Sequence, residues 1–365
     1  MMLAPQWVRR LVIAPSVVIL AVVLLTTLPV WLLLALAASP FVAGHLRLPR
    51  LAFLGIVYIV WDAAALVGLA VLWVASGFGW KIRTPAFQRA HYVLTGAFLR
   101  ALFWVAKWSL HLSIDVVGTD PDTGMPGRPE IVVSRHAGPG DSFVLIHALV
   151  NWFEREPRIV LKATLQWDPA VDILLNRLPN RFISPGRPGV ADLEQHVGGL
   201  ATGLDHNDAF VIFPEGGNFT PHRRLRAIDR LRDRGLETMA VRAENLRNLL
   251  PPKPGGLLAA IDAAPDAGVI FVAHTGLDKL ITVGDVWREL PMDKQLIMRF
   301  WSVPPEEIPA GEEERVTWLY DWWARIDAWI DEHRPLARPL GTDWAARHDR
   351  RDRHGRARRS GTAPG

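Results

Sequence analysis

His136 and Asp141 stand five residues apart, and the chain between them contains the turn Gly138-Pro139-Gly140. That turn lets the aspartate come back towards the histidine. A carboxylate that accepts from one imidazole nitrogen fixes the tautomer and leaves the other nitrogen to act as a base. The plainer reading is a surface histidine beside a helix-capping aspartate, since Asp is a favoured N-cap. A second stretch, Ala209 to Thr220, carries a single carboxylate, Glu215, between Pro214 and Gly216. The chain has no cysteine, which excludes a thiolate nucleophile, a thiolate metal site and a disulfide framework. His196, His206, His222 and His274 are scattered without metal-ligand spacing and carry no assigned role. There is no P-loop and no G-x-G-x-x-G fingerprint.

Both motifs hang from strands. Ile131-Val132-Val133-Ser134 is a short apolar run readable as a buried strand, and Asp141 opens an apolar-periodic helix from Ser142 to Phe153. Ala209 to Phe213 is a similar run ending in the Glu215 loop. Ser113–Val117, Arg158–Lys162 and Val269–Ala273 are further strands, while Leu165–Leu178 and Gly189–His206 read as helical. Strands alternating with helices imply an α/β fold, a mostly parallel sheet flanked by helices. Ligands of such sheets collect beyond the carboxyl ends of strands. His136 and Glu215 both sit at such ends, which points to one shared site.

The H-x4-D motif followed by a strand ending in F-P-E-G resembles the glycerophospholipid acyltransferase superfamily, which includes the 1-acylglycerol-3-phosphate acyltransferases. The resemblance covers roughly Arg100 to Asp285. It implies a glycerolipid acyltransferase-like fold, with His136 as general base, Asp141 as its orienting partner and Glu215-Gly216 in acceptor binding. It also implies a thioester donor, either acyl-CoA or an acyl carrier protein, with no metal and no organic cofactor. In the family a Gly-x-x-Phe-Ile-x-Arg pattern supplies a phosphate-binding arginine. This chain has Phe182-Ile183 but Pro185 at the arginine position, leaving Arg181 and Arg187 on either side. Arg223, after the Glu215 loop, is a further phosphate candidate, with Arg224 next to it. Leu250-Pro251-Pro252-Lys253-Pro254-Gly255-Gly256 resembles the L-x-P-R/K-x-x-G element of one branch.

Hydrophobic residues make up 50% of the 365, and the excess gathers at the N-terminus. Leu11 to Gly44 contains no charged residue, and Leu51 to Trp80 contains only Asp62. A spanning helix needs about 20 such residues, so residues 1–80 read as a hydrophobic helical hairpin that anchors the chain. Asp62 then has to bury against a neighbour, lie in a re-entrant segment or rest on the membrane surface. Arg9, Arg10, Lys81, Arg83 and Arg89 flank the pair, placing both flanks in the cytoplasm of a cell-membrane or inner-membrane protein. Pro85 to Ser113 reads as a helix with a wide apolar face, suited to the membrane interface or to the core of a globular domain. Residues 81–335 form the catalytic domain, and in them Glu312–Arg334 is an amphipathic helix for the core, with a membrane-lying helix as the alternative. Residues 336–365 are basic and apolar-poor, a disordered tail suited to anionic head groups. The formal net charge of +4 owes much to this tail, and nothing supports nucleic-acid binding.

The resulting expectation is a membrane-bound enzyme that moves a fatty acyl group onto a lysophospholipid hydroxyl. The alternatives are a catalytically silent, membrane-anchored lipid- or partner-binding protein, and a serine hydrolase using Ser134 or Ser142. The hydrolase lacks a G-x-S-x-G elbow around either serine.

Overall fold

Alternating side chains of the central strands supply two cores, one on each face of a sheet. The structure, a computed structural model, describes residues 3–42, 46–118, 125–138, 140–183, 190–278, 284–285, 287 and 294–334. The sheet has strands β1 (Ser113–Val117), β2 (Glu130–Ser134), β3 (Glu156–Lys162), β4 (Arg181–Ile183), β5 (Asp208–Ile212), β6 (Gly268–Thr275) and β7 (Gln295–Val303). Their order is β1-β7-β6-β2-β5-β3-β4. All neighbours pair in parallel except β6 and β7, so the sheet is mostly parallel.

Every residue of β2 and β6 is buried, as expected for strands covered on both faces. Ile131 and Val133 point into one core with Phe210, Phe271 and Trp301, beneath helices α7 (Val190–Ala201), α10 (Pro254–Ala263) and α11 (Glu312–His333). Val132 points the other way, with Val211, Ile270 and Met298. That second core is closed by α4 (Pro85–Leu110) and α5 (Asp141–Asn151).

The apolar N-terminus forms α1 (Gln6–Thr26), α2 (Leu28–Ala38) and α3 (Arg47–Ala75). The uncharged stretch from Leu11 to Gly44 is therefore not one helix. It breaks at Thr27, two residues before Pro29, which cannot donate into a continuing helix. Three helices are long and apolar enough to cross a membrane: α1, α3 and α4. α4 also serves the globular core, where Tyr92, Leu99 and Phe103 are buried, while Val93, Trp104 and Trp108 stay exposed. Core helix and apolar outer face are two sides of the same element.

These helices are bolted to α6 (Pro169–Arg177) by polar groups. Asp172, fully buried, accepts from Arg9 Nη2 at 2.7 Å and from Arg10 Nε at 3.1 Å. Arg177 donates to the Leu69 carbonyl at 2.8 Å, and the Tyr58 hydroxyl donates to Asp168. Asp62, the lone charge of its segment, meets the first turn of α6 and accepts the Ala170 amide. A helix N-terminus, with unpaired N–H groups and the positive end of its dipole, suits that carboxyl. Asp62 is thus half-buried against a neighbouring helix. The tail, 336–365, lies outside the described residues.

Candidate active site

β2 runs straight into the site. After Ser134 the chain passes Arg135, whose side chain is 1% exposed, and reaches His136. The Arg135 guanidinium donates to the His274 carbonyl at 2.7 Å and to Asp278 Oδ1 at 2.6 Å. Asp278 also accepts from the Thr275 hydroxyl and the Gly276 amide, both at 2.9 Å. Burial pushes the Asp278 carboxyl up, but the Arg135 cation and these donors outweigh it and hold the group at about 2. This part-buried ion pair ties the chain after β6 to the end of β2 and steadies the backbone that presents His136.

Asp141 is the first residue of α5, and Gly140 occupies the cap position expected of the aspartate. Its carboxylate turns back and accepts the Gly138 amide. Oδ2 lies 3.8 Å from His136 Nδ1, a nitrogen that is buried without another hydrogen-bond partner. The two residues therefore face each other across the turn, slightly beyond hydrogen-bond length. Such bonds are often long without substrate and tighten when it binds. Burial raises the Asp141 carboxyl, yet His274, the His136 ring, the Gly138 amide and the Arg135 guanidinium together hold it below the usual carboxylate range.

His274, which the sequence left without a role, stands on the other side of this carboxylate. Its Nε2 is 3.8 Å from Asp141 Oδ2, and the residue is 4% exposed. Burial, with the nearby Arg135 cation, lowers its basicity against the pull of Asp141 and Asp278. The signal for it was present: like His136, it sits where an apolar strand run stops.

The second motif closes the site from β5, the neighbour of β2. Glu215 Oε1 accepts the His136 amide at 2.9 Å, and Oε2 accepts the Leu250 amide at 3.1 Å. The Phe219 amide donates to the His136 carbonyl at 3.0 Å. Phe213 packs its ring 4.9 Å from the His136 ring. Both Glu215 oxygens are thus occupied by backbone, and the residue is only 4% exposed. Burial lifts its carboxyl to about 7, against the pull of Arg135 and the two amides. Gly216 has φ +67°, and a Cβ there would come 2.9 Å from Lys253 Nζ. Only glycine meets both demands cheaply.

The phosphate candidates separate. Arg223 reaches the rim of the site, donating to the Asn218 carbonyl at 3.1 Å. Arg181 opens β4, which lies three strand spacings from β2, roughly 14 Å at the usual ~4.8 Å between strands. It is exposed and is not brought to His136. Arg187 lies outside the described residues, as does Pro185.

What the arrangement can do is general-base chemistry at His136, with the proton-bearing nitrogen steadied by a buried anion. Residues 115–275 match the family model described as Acyltransferase. No curated protein matches the chain. Among solved structures, the 1-acyl-sn-glycerophosphate (LPA) acyltransferase PlsC from Thermotoga maritima is similar at 16% identity. That match covers 76% of this chain and 98% of that one, with a TM-score of 0.45. Residues 115–275, the stretch that matches the Acyltransferase model, hold His136, Asp141 and Glu215, the residues of the H-x4-D and F-P-E-G motifs.

Proposed function

We propose that this chain is a membrane-associated enzyme that transfers a fatty acyl group from a thioester to a lysophospholipid hydroxyl, 1-acylglycerol-3-phosphate being the model acceptor. The donor is acyl-CoA or an acyl carrier protein thioester. The observation that carries the reading is the His136 imidazole 3.8 Å from the buried Asp141 carboxylate, beyond the carboxyl end of a parallel strand.

In this reading His136 Nδ1–H faces Asp141, which leaves Nε2 to accept the acceptor's hydroxyl proton as its oxygen attacks the thioester carbon. The C–S bond then breaks, and the leaving thiolate takes the proton back from the imidazolium. Asp141 stabilises that transient cation and is not itself protonated. The acceptor oxygen is the nucleophile, so no protein nucleophile and no metal is required. General-base catalysis contributes roughly 10²–10⁴-fold, and positioning with oxyanion stabilisation supplies the rest. The Gly138 amide is engaged by Asp141, so it is not a free oxyanion donor. The first turn of α5 has N–H groups without helical partners and fits that role better. Glu215, with both oxygens on backbone amides, acts as a positioning residue that holds His136 and the Leu250 segment together. In this reading the three apolar helices anchor the chain in a bilayer, where lysolipid and acyl chains concentrate, with the domain on the cytoplasmic side.

The test incubates membranes carrying wild type or His136→Ala with labelled acyl-CoA or acyl-carrier thioester and a panel of lysolipids. Product made by wild type and reduced by about 10²-fold or more in the variant supports the mechanism. Wild-type protein that folds and inserts but acylates nothing in the panel removes it, and a lipid-binding role then leads.

A further inference from the structure

Helix α8 (Pro221–Asp233) begins just after the Glu215 loop, and with Arg234 at its C-terminal end it carries six arginines. They divide between two sides. Arg224 and Arg232 turn towards α9 (Glu237–Glu244), where Arg224 donates to the Glu244 carbonyl and Arg232 pairs with the Glu244 carboxylate. Ile228 and Leu231 face the same way and pack on Ala240 and Ala243, while Leu225 stays exposed. Arg223, Arg226, Arg230 and Arg234 follow one another at intervals of three and four residues, so they share the opposite, exposed face.

No described residue forms an ion pair with any of these four. Asp229 and Asp233 flank the row without bonding to it. The row starts at the site: Arg223 bonds the Asn218 carbonyl in the loop that carries Glu215. Lys253 joins it from the other side, with its Nζ against Gly216. Burial, then the like charges of Arg230 and Arg234, hold the Lys253 ammonium below its ordinary value, so these cations sit close together. Clustered cations repel one another unless an anion is brought between them.

We infer that this face of α8, together with Lys253, is the subsite for the phosphates of a coenzyme A thioester. The inference rests on the acyl-transfer reading and selects one of its two donors. Its ground is extent. From Arg223 to Arg234 the row spans about 16 Å of helix, at about 1.5 Å per residue. One head-group phosphate occupies one or two cations. Coenzyme A carries a diphosphate and a separate 3′-phosphate at the far end of a long pantetheine arm. A row of cations that borders the catalytic loop and extends along a whole helix face matches that layout, and guanidinium groups pair phosphates bidentately. An interfacial membrane helix would need a broad apolar face free for lipid, whereas on α8 Ile228 and Leu231 pack on α9 and Leu225 is the one large apolar residue left exposed.

The experiment uses the full chain in neutral detergent. Coenzyme A binding is measured by calorimetry, and KM is measured separately for acyl-CoA, acyl-carrier thioester and lysolipid. The variant Arg226→Gln/Arg230→Gln/Arg234→Gln weakens coenzyme A binding and raises the acyl-CoA KM, each by at least about tenfold, with kcat and the lysolipid KM held. Arg232→Gln, which removes the same charge from the α9 side, leaves coenzyme A affinity within about twofold. Unchanged coenzyme A binding in the triple variant overturns the inference. So does a defect confined to lysolipid, carrier thioester or vesicle binding. Wild type that transfers acyl groups from coenzyme A with no effect of the triple variant sinks the subsite alone. Wild type that binds coenzyme A through these arginines but acylates nothing sinks the acyl-transfer reading alone.

Discussion

Burial lifts the Glu215 carboxyl from its ordinary range to about 7, although two backbone amides and the Arg135 cation favour its charge. The native state therefore holds a proton there that the unfolded chain releases at lower pH. Stability from this group is fully present below about 4.5, the unfolded value, and is lost as pH rises through about 7. We predict that the melting temperature in detergent falls between pH 5 and pH 8, and that Glu215→Gln makes that fall smaller. An identical pH dependence in the variant would show that Glu215 does not titrate in this window. The glutamine also turns an N–H₂ towards one of the two amides, leaving that donor unsatisfied at a cost of about 1–3 kcal/mol. The sequence made this residue visible, set between proline and glycine after a strand, but not its work. Its partners are the amides of His136 and Leu250, and every residue type has an amide. His274 was missed for a related reason: its significance comes from Asp141, which reaches it only once β6 lies beside β2.

At the scale of elements, the clamp on Asp172 decides how firmly α1 is held. Arg9 is 5% exposed and its partner fully buried, so removing the carboxylate strands a cation away from water. Breaking a buried pair from one side costs about 3–5 kcal/mol, unless the helix peels away and rehydrates the charge. For α1, at an edge of the fold, peeling is the cheaper response. Asp172→Asn is thus expected to speed hydrogen exchange in the first turns of α1, and trypsin cleavage at Arg9 and Arg10, by tenfold or more. The amides of β2, β5 and β6 should keep their protection. Equal protection of α1 in both proteins would mean that the apolar contacts with α3 hold it unaided. The same scale shows where pattern reading ran short. β2, β5 and β6 were legible as uninterrupted apolar runs, because strands covered on both faces need no polar side. β7 was not, since Arg299 and Ser302 interrupt its run, and β4 is only three residues long. α8 shows little apolar periodicity, with Ile228 and Leu231 as its packed apolar anchors. What fixes it is the Thr220 side chain capping the Arg223 amide, Pro221 in the first turn and the Glu244 bonds.

For the whole molecule the question is which surface meets lipid. α1, α3 and α4 each have the length and apolarity of a span, yet α1 and α3 are tied to α6 and α4 closes one side of the sheet's core. Lipid contact must then fall on the sides these helices turn away from the domain. On α4 that side carries Val93, Trp104 and Trp108, the tryptophans 68% and 66% exposed, with Lys107 beside them. Indole rings favour the head-group level, where an apolar body and a wet N–H are both accommodated. Because the chain has no cysteine, one introduced cysteine is a unique label. A polarity-sensitive probe at Trp104→Cys or Trp108→Cys should become shielded from a water-soluble quencher when the protein enters vesicles. The same probe at Val241→Cys, on α9 and also half exposed, should stay accessible. Shielding at Val241 and none at Trp104 and Trp108 would reverse the orientation, putting α9 at the membrane and the outer face of α4 in water.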